Sequence, residues 1–250
     1  MRACNFFALL KACGCAVAFI VAGTSASAAL LINEPFDYPN GNLVPNGGWA
    51  NHSGTGSLVQ VNGGSISLNQ GSGSREDVNR TTGTTLAAGE SIFAAFDLTV
   101  PSGATDVYFA HFMETNTLFN SRTYTAAPTS GGDYTVGVSD SNTLTAKWPT
   151  DLSFNTTYRV VIKFDFDSGD STLWVNPSSE ASASVVHNGG FNSPITAFGF
   201  RQAGGSFVQV IDNLNVATSF DEALTGIPEP ATLSLFGIGL IGMLACRRRS

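Results

Sequence analysis

The body of this sequence has no cysteine. Of the 4 in its 250 residues, Cys4, Cys13 and Cys15 lie near the start and Cys246 near the end. A body from Ala29 to Gly226 therefore has no disulfide, no thiolate metal ligand and no cysteine nucleophile. It must hold together by burial alone, and a stretch of that length buries roughly 70% of its unfolded surface. Charge is also scarce. Asp, Glu, Lys and Arg make up 12% of the chain, about half the usual share. Positive charge is scarcer still: between Ala29 and Gly226, 7 Lys and Arg stand against 18 Asp and Glu, a net of −11. That balance excludes nucleic acid and anionic lipid as partners of the body. It allows at most weak attraction of divalent cations.

Other absences narrow the chemistry. There is no internal repeat and no convincing amphipathic helix. No Gly-x-Ser-x-Gly elbow and no phosphate-cradling glycine motif occurs. The histidines, His52, His111 and His187, are scattered without ligand spacing, so no metal site is expected.

What is present is a period of two. With 43% hydrophobic residues, the chain is not of a disordered class. Ser91 to Val100 places Ile92, Ala94, Phe96, Leu98 and Val100 on one face. Val160 to Asp167 places Val160, Ile162, Phe164 and Phe166 inward. Asp167-Ser168-Gly169-Asp170 reads as a turn, with Ser171–Val175 as the returning arm. Further strands are predicted at Ser57–Val61, Ser65–Leu68, Val107–Met113, Tyr134–Ser139, Thr143–Lys147, Ile195–Arg201 and Phe207–Val216. Loops are predicted at Pro39–Gly56, Gly71–Gly89, Glu114–Asp133 and Pro177–Pro194. Many short strands between turn signals predict one all-β domain, an antiparallel β-sandwich of jelly-roll type. Ser219-Phe220-Asp221-Glu222 has capping-box spacing and predicts a short helix ending near Thr225-Gly226.

The two ends carry addresses. Arg2 and Lys11, the apolar Ala12–Ala22, and Ala26-Ser27-Ala28 read as a secretory signal over residues 1–28. Signal peptidase would leave Ala29 as the first mature residue. The body then spans 29–226, and a tail spans 227–250. In that tail Ala231–Cys246 has no charge. As a transmembrane helix it measures roughly 24 Å against about 30 Å of hydrocarbon. The basic residues of 247–250 snorkel and stay cytoplasmic.

"IPEPATLSLFGIGLIGMLACRRRS" resembles the PEP-CTERM sorting signal of Gram-negative bacteria. Pro228, Glu229 and Pro230 match its first part, Thr232 to Cys246 its apolar segment, and Arg247, Arg248 and Arg249 its basic cluster. Ile227 stands where Val is usual. The resemblance implies that an exosortase in the inner membrane cuts near the Pro-Glu-Pro. The body is then released or re-anchored at the cell surface. Members of that family usually serve systems that export extracellular polysaccharide. A second resemblance covers the body. "FDYPNGNLVPNGGW", "VVIKFDFDSGDSTLWVNPSSE" and "FGFRQAGGSFVQVIDNLNVATSF" are similar to laminin-G-like, concanavalin-type jelly rolls. It implies the sandwich and no function, because that fold hosts lectins, adhesins, glycosidases and inert modules alike.

Jelly-roll glycosidases carry Glu-x-Asp-x-Glu or a close variant along one strand, and no such run is present. No catalytic residue is therefore predicted. Asp165, Asp167 and Asp170 form a solvated hairpin tip, with a weak calcium site as the alternative; they fail the EF-hand spacing. Trp174 falls on the outward face with Thr172 and Asn176 and is a candidate for sugar stacking. The alternative is Lys163 lying over its indole. Trp49 and Trp148, in loops, are lesser candidates. His111 reads as a satisfied core histidine on the face of Val107, Phe109 and Met113. Asp212 shares a face with Val208, Val210, Leu214 and Val216, so it needs a partner. Arg201 is the candidate for a structural pair; a metal or ligand site, or a bulge that turns Asp212 outward, are the alternatives. The expectation is an exported, non-enzymatic module that binds or organises exopolysaccharide. A structural surface protein without a ligand is the second reading and a carbohydrate-active enzyme the last.

Overall fold

The computed structural model describes residues 28–228 except 74, 87, 116, 191 and 192. The expected signal segment but for Ala28, the expected membrane helix at 231–246, and Glu229, Pro230 and Arg247 to Arg249 lie outside the described residues. No helix among those described is long and apolar enough to cross a membrane.

Sixteen strands and one short α-helix follow in chain order. They begin with β1 (Leu30–Glu34), β2 (Gly41–Asn42), β3 (Ala50–Ser53), β4 (Gln60–Asn62) and β5 (Ser65–Asn69). Then come β6 (Asp77–Leu86), β7 (Ser91–Thr99), β8 (Val107–Thr115), β9 (Leu118–Ala126), β10 (Thr135–Ser139) and β11 (Ala146–Lys147). The last are β12 (Thr157–Asp165), β13 (Ser171–Val175), β14 (Val185–His187), β15 (Ile195–Phe200), β16 (Val208–Ala217) and the helix α1 (Phe220–Thr225). All pairings are antiparallel. One sheet runs β14-β13-β12-β7-β16-β5-β4-β2, with β1 also on β16. The other runs β11-β10-β9-β8-β15-β6-β3.

The period of two builds the core. On β7 and β12 the pairs Phe96–Val160, Ala94–Ile162 and Ile92–Phe164 lie opposite one another. Their side chains meet the second sheet at Phe109, Phe112, Phe198 and Phe200. Phe96 lies 5.8 Å from Phe109 and 6.4 Å from Phe198. Each such ring contributes about 1.5–3 kcal/mol of burial.

All four of the predicted loops contain strands. β6 lies in Gly71–Gly89, β9 in Glu114–Asp133, and β14 in Pro177–Pro194. Pro39–Gly56 also holds the short β2 and β3, and β1 was not foreseen. β9 misleads because its buried face is polar. Asn120 donates to Ser193 at 2.9 Å, Ser121 and Ser171 share a hydrogen bond at 2.7 Å, and Thr125 accepts from Gln209 at 3.0 Å. A polar side chain that finds a buried partner breaks the apolar alternation without breaking the strand.

α1 forms where the capping box predicted it. The Ser219 hydroxyl accepts from the Glu222 amide at 3.3 Å, and Gly226, at φ 68°, ends the helix in the left-handed region. Phe220 and Ala223 lie on the face of the first sheet away from the core, over Phe93, Ala95, Val161, Trp174 and Ala217. Arg159 fixes the far end, donating to the carbonyls of Ala223 at 3.1 Å and Leu224 at 3.2 Å.

Asp151 ties the loop before β10. It accepts from the amides of Thr129 at 2.8 Å, Ser130 at 2.6 Å and Gly132 at 3.0 Å. The Thr129 amide first, then those of Gly132 and Ser130, hold its carboxyl far below the ordinary 3.8. A folded-state value below the unfolded one stabilises fully above the unfolded value and is lost as pH falls through the folded one. Amide exchange of Thr129, Ser130 and Gly132 is therefore expected to stay slow at pH 5 and to quicken, relative to intrinsic exchange, only well below pH 3.8. Loss of protection already at pH 4 to 5 would contradict this.

Candidate functional site

β8 is irregular, and its irregularity builds a surface. Register shifts fall between Tyr108 and Ala110 and between Ala110 and Phe112. Phe109 and Ala110 both enter the core, so Tyr108 and His111 face outward together. β9 sets Arg122 and Tyr124 beside them. The Tyr108 and Tyr124 rings lie 5.6 Å apart at 60°. They floor an open cleft of about 320 Å³, walled by Asp106, Asn142, Arg201 and Ala203. Arg201 follows β15, and its guanidinium carbon sits 4.2 Å from the centre of the Tyr108 ring. The Arg122 guanidinium is 5.5 Å from the same centre and 5.6 Å from that of Phe119.

The groups of the cleft differ in how far they are occupied. The Tyr124 hydroxyl donates to the Ser141 carbonyl at 2.6 Å. Burial, opposed by Arg122, pushes it up to about 12, so it stays neutral. Asp106 accepts from the Ala127 amide at 3.2 Å and lies 3.3 Å from the Lys147 ammonium. Arg201 has no carboxylate within 4.0 Å and no side-chain hydrogen bond among the described residues.

Behind the floor lies His111, fully buried, its ring 4.2 Å from Phe119 and 6.0 Å from His52. Burial first, then His52, Arg122 and Arg201, push it well below the ordinary 6.5, so the ring is neutral. Neither ring nitrogen finds a partner among the described residues, so the expected satisfied core histidine is neither satisfied nor in the core. Gly199 makes room for it: a Cβ there would lie 2.9 Å from its Nε2.

The three tryptophans are elsewhere. Trp174 does lie on the face of its sheet away from the core, as alternation requires, but α1 covers it. It is 3% exposed, donates from Nε1 to the Glu180 carbonyl at 3.2 Å, and packs edge-on against Phe220 at 5.3 Å. No sugar can stack on it. Lys163 reaches Phe93, at 5.6 Å, and Asp165, at 3.2 Å, rather than the indole. Trp49 is 2% exposed, lies stacked with Phe36 and Phe200, and donates to Glu34 at 3.0 Å. Trp148 is half-buried against the core edge.

Asp212 and Arg201 do not pair. Gln209 and Ile211, not Val208 and Val210, face inward, and a register shift after Asp212 restores Leu214 and Val216 to the core. Asn213, at φ 48°, takes the bulge. Asp212 is thereby turned outward, opposite Asp97, so the bulge is the reading that holds. Burial chiefly pushes its carboxyl up, with Asp97 and Asp37 adding and the Asn213 amide opposing. The hairpin carboxylates cap separate loops. Asp165 accepts from the Asp167 and Ser168 amides, Asp167 from that of Gly89, and Asp170 from that of Gly189. No group of three or more His, Cys, Asp or Glu placed to hold a metal occurs among the described residues.

A second polar cleft of about 320 Å³, lined by Asn33, Glu34, Asp97, Arg159, Asn213 and Asn215, lies beside α1. The Asn33 and Asn215 side chains and Arg159 are committed there to holding that helix and Gly226. The sequence pointed to neither cleft. Tyr108 and Tyr124 are directly opposed on β8 and β9, and β9 was read as a loop.

Comparison with known proteins identifies two parts. Residues 226–249 match the PEP-CTERM protein-sorting motif. No curated protein sequence matches the chain. Among solved structures, a peanut lectin in complex with a 9mer peptide shares the fold, with a TM-score of 0.51 at 10% identity over 78% of this chain and 98% of the lectin. The carbohydrate recognition domain of Emp47p matches at a TM-score of 0.48 and 10% identity, over 79% of this chain and 100% of that domain. A sialidase matches at 0.46 and 14% identity over 66% of this chain, which spans 16% of the sialidase's length. The motif marks an exosortase-sorted protein that is secreted, membrane-anchored and then placed at the cell surface. The chain thus joins a legume-lectin-like, concanavalin-type jelly roll to a PEP-CTERM sorting signal.

Proposed function

We propose that this protein is a non-enzymatic surface module that binds extracellular polysaccharide at the Tyr108–Tyr124 cleft. Signal peptidase removes residues 1–28 at the Ala26-Ser27-Ala28 site and leaves Ala29 first. The segment 231–246 then holds the precursor in the inner membrane with Arg247, Arg248 and Arg249 inside. An exosortase cuts near Pro228-Glu229-Pro230 and delivers the body outside. The fixed end of α1 suits this, because Gly226 closes the helix and Ile227 and Pro228 are exposed directly after it.

The observation that carries the binding reading is the cleft itself. Tyr108 and Tyr124, 9% and 1% exposed and with the Arg201 guanidinium over the Tyr108 ring, back the cleft rather than offer a face for stacking. Arg201, Asn142 and Asp106 stand around it as donors and an acceptor for hydroxyls. The fold resemblance supports the reading without carrying it.

Tyr108→Ala, which removes the ring that seats Arg201, is expected to weaken binding of the exported polysaccharide about tenfold, the scale of one cation–π contact. Affinity electrophoresis of wild type and variant, with unfolding midpoints measured alongside, would show it. Unchanged mobility in a folded variant overturns the site. For the sorting half, intact mass of the protein from its own cells should begin near Ala29 and end near Pro228–Pro230. A membrane-fraction mass that still includes Arg249 overturns processing.

A further inference from the structure

The body holds seven cationic side chains besides its histidines. Arg80, Lys147, Arg159 and Lys163 each have a carboxylate within 4.0 Å. Arg75, which does not line the cleft, has none among the described residues, and neither do Arg122 and Arg201. Carboxylates are not in short supply, since 18 stand against the seven cations. Yet these two guanidinium groups converge on one ring, at 4.2 and 5.5 Å from the centre of Tyr108. Like charges drawn together in a half-buried place repel one another. Tyr108 supplies cation–π attraction to both but no counter-charge. The one carboxylate that lines the cleft, Asp106, is already taken by Lys147 and the Ala127 amide.

The polar groups beneath are also incomplete. Arg122 Nε and both nitrogens of His111 are buried without partners among the described residues. His111 is neutral and so brings no third positive charge. Arg122 Nη1 donates to the Asp140 carbonyl and Arg201 donates to no described residue, so this face has positive charge to spare on a body that is otherwise acidic.

We infer that the cleft selects a sugar carrying a carboxylate, a uronate residue of a polysaccharide, with Arg201 and Arg122 as its counter-charges. The inference rests on the reading of the cleft as a glycan site and names the class of glycan. The planar fork of an arginine matches both oxygens of a carboxylate. The hydroxyls of the ring to which the carboxylate is attached meet Asn142 and Asp106, while Tyr108 seats the Arg201 guanidinium. A body of net charge −11 repels a polyanion everywhere else.

The test is calorimetric titration of the full-length protein in detergent micelles with three probes. They are a hexuronate oligosaccharide, the same oligosaccharide with its carboxyl groups reduced to alcohols, and dextran sulfate of matched length. The hexuronate should bind at least tenfold more tightly than its reduced form and than dextran sulfate. Arg201→Gln should lose at least tenfold more affinity towards the hexuronate than towards the reduced form, which loses only a hydroxyl donor. Arg201→Lys, which keeps the charge and loses the fork, should fall between. Arg122→Gln gives a second, independent reading should Arg201→Gln fold poorly. Equal binding of acid and reduced forms overturns the carboxylate assignment and leaves the glycan reading standing. Dextran sulfate binding as tightly as the hexuronate also overturns that assignment. No binding of any probe overturns both.

Discussion

Trp174→Ala is expected to cost about 3–5 kcal/mol of stability and to leave the sugar affinity of the folded protein unchanged. The indole lies between sheet and helix, with Phe93, Val161 and Ala217 beneath and Phe220 and Ala223 above. Phe220 meets both aromatic neighbours edge-on, Trp174 at 5.3 Å and Phe93 at 6.0 Å. Truncation at 174 opens a void that a six-residue helix cannot close, because Arg159 and the Ser219 cap fix α1 at both ends. It also strips the Glu180 carbonyl of the indole N–H. Chemical denaturation should show the midpoint falling with the slope unchanged. The loss should also loosen the chain just before the sorting motif, because α1 is the last ordered element ahead of Gly226. A cost below about 1 kcal/mol would mean that α1 does not shield this face. A folded variant that lost sugar affinity would move the binding site from the Tyr108 cleft to the opposite sheet.

Trp174 also shows what the sequence can and cannot say. Alternation along Ser171–Val175 assigned its face correctly. Exposure did not follow, because a helix nearly fifty residues later covers that face. The signal for the helix was present at Ser219-Phe220-Asp221-Glu222, but its docking place was not, since capping is local and docking is not. Hairpins such as β12–β13 were legible because local spacing determines them. The Phe-rich core was legible for the same reason. β6 and β9 were not, because Thr, Asn and Ser replace apolar residues wherever a buried hydrogen bond is made. The Tyr108 cleft needs the unrecognised β9, which sets Tyr124 opposite Tyr108. Asp212 was misplaced by a bulge. The sorting motif was read in full because recognition of a tail depends on its linear order.

Glu34→Ala is expected to destabilise the fold by about 3 kcal/mol or more. Glu34 is 1% exposed and accepts four hydrogen bonds. They come from the Phe36 amide at 2.8 Å, the Tyr38 hydroxyl at 2.8 Å, the Trp49 indole at 3.0 Å and the Arg80 guanidinium at 2.6 Å. One carboxylate thus ties β1, the Trp49 turn and β6 of the opposite sheet. The surrounding backbone is fitted to it: Gly47, at φ 56°, lets the turn pass where any Cβ would collide with Tyr38. Removal of the carboxylate leaves the indole and the Phe36 amide buried without an acceptor, while Arg80, at 25% side-chain exposure, recovers part of its loss from water. Glu34→Gln keeps the shape and one acceptor oxygen and should cost less than the alanine change. A second readout separates this from simple loss of packing. Burial first, then the bond to Glu34, raises the Tyr38 hydroxyl to about 12, with Arg80 opposing. Ultraviolet titration of Glu34→Ala should show that phenol ionising closer to its ordinary 10.0. Equal stability of the Ala and Gln variants, with Tyr38 unmoved, would mean that the four donors find other acceptors and that the two sheets are joined here by packing alone.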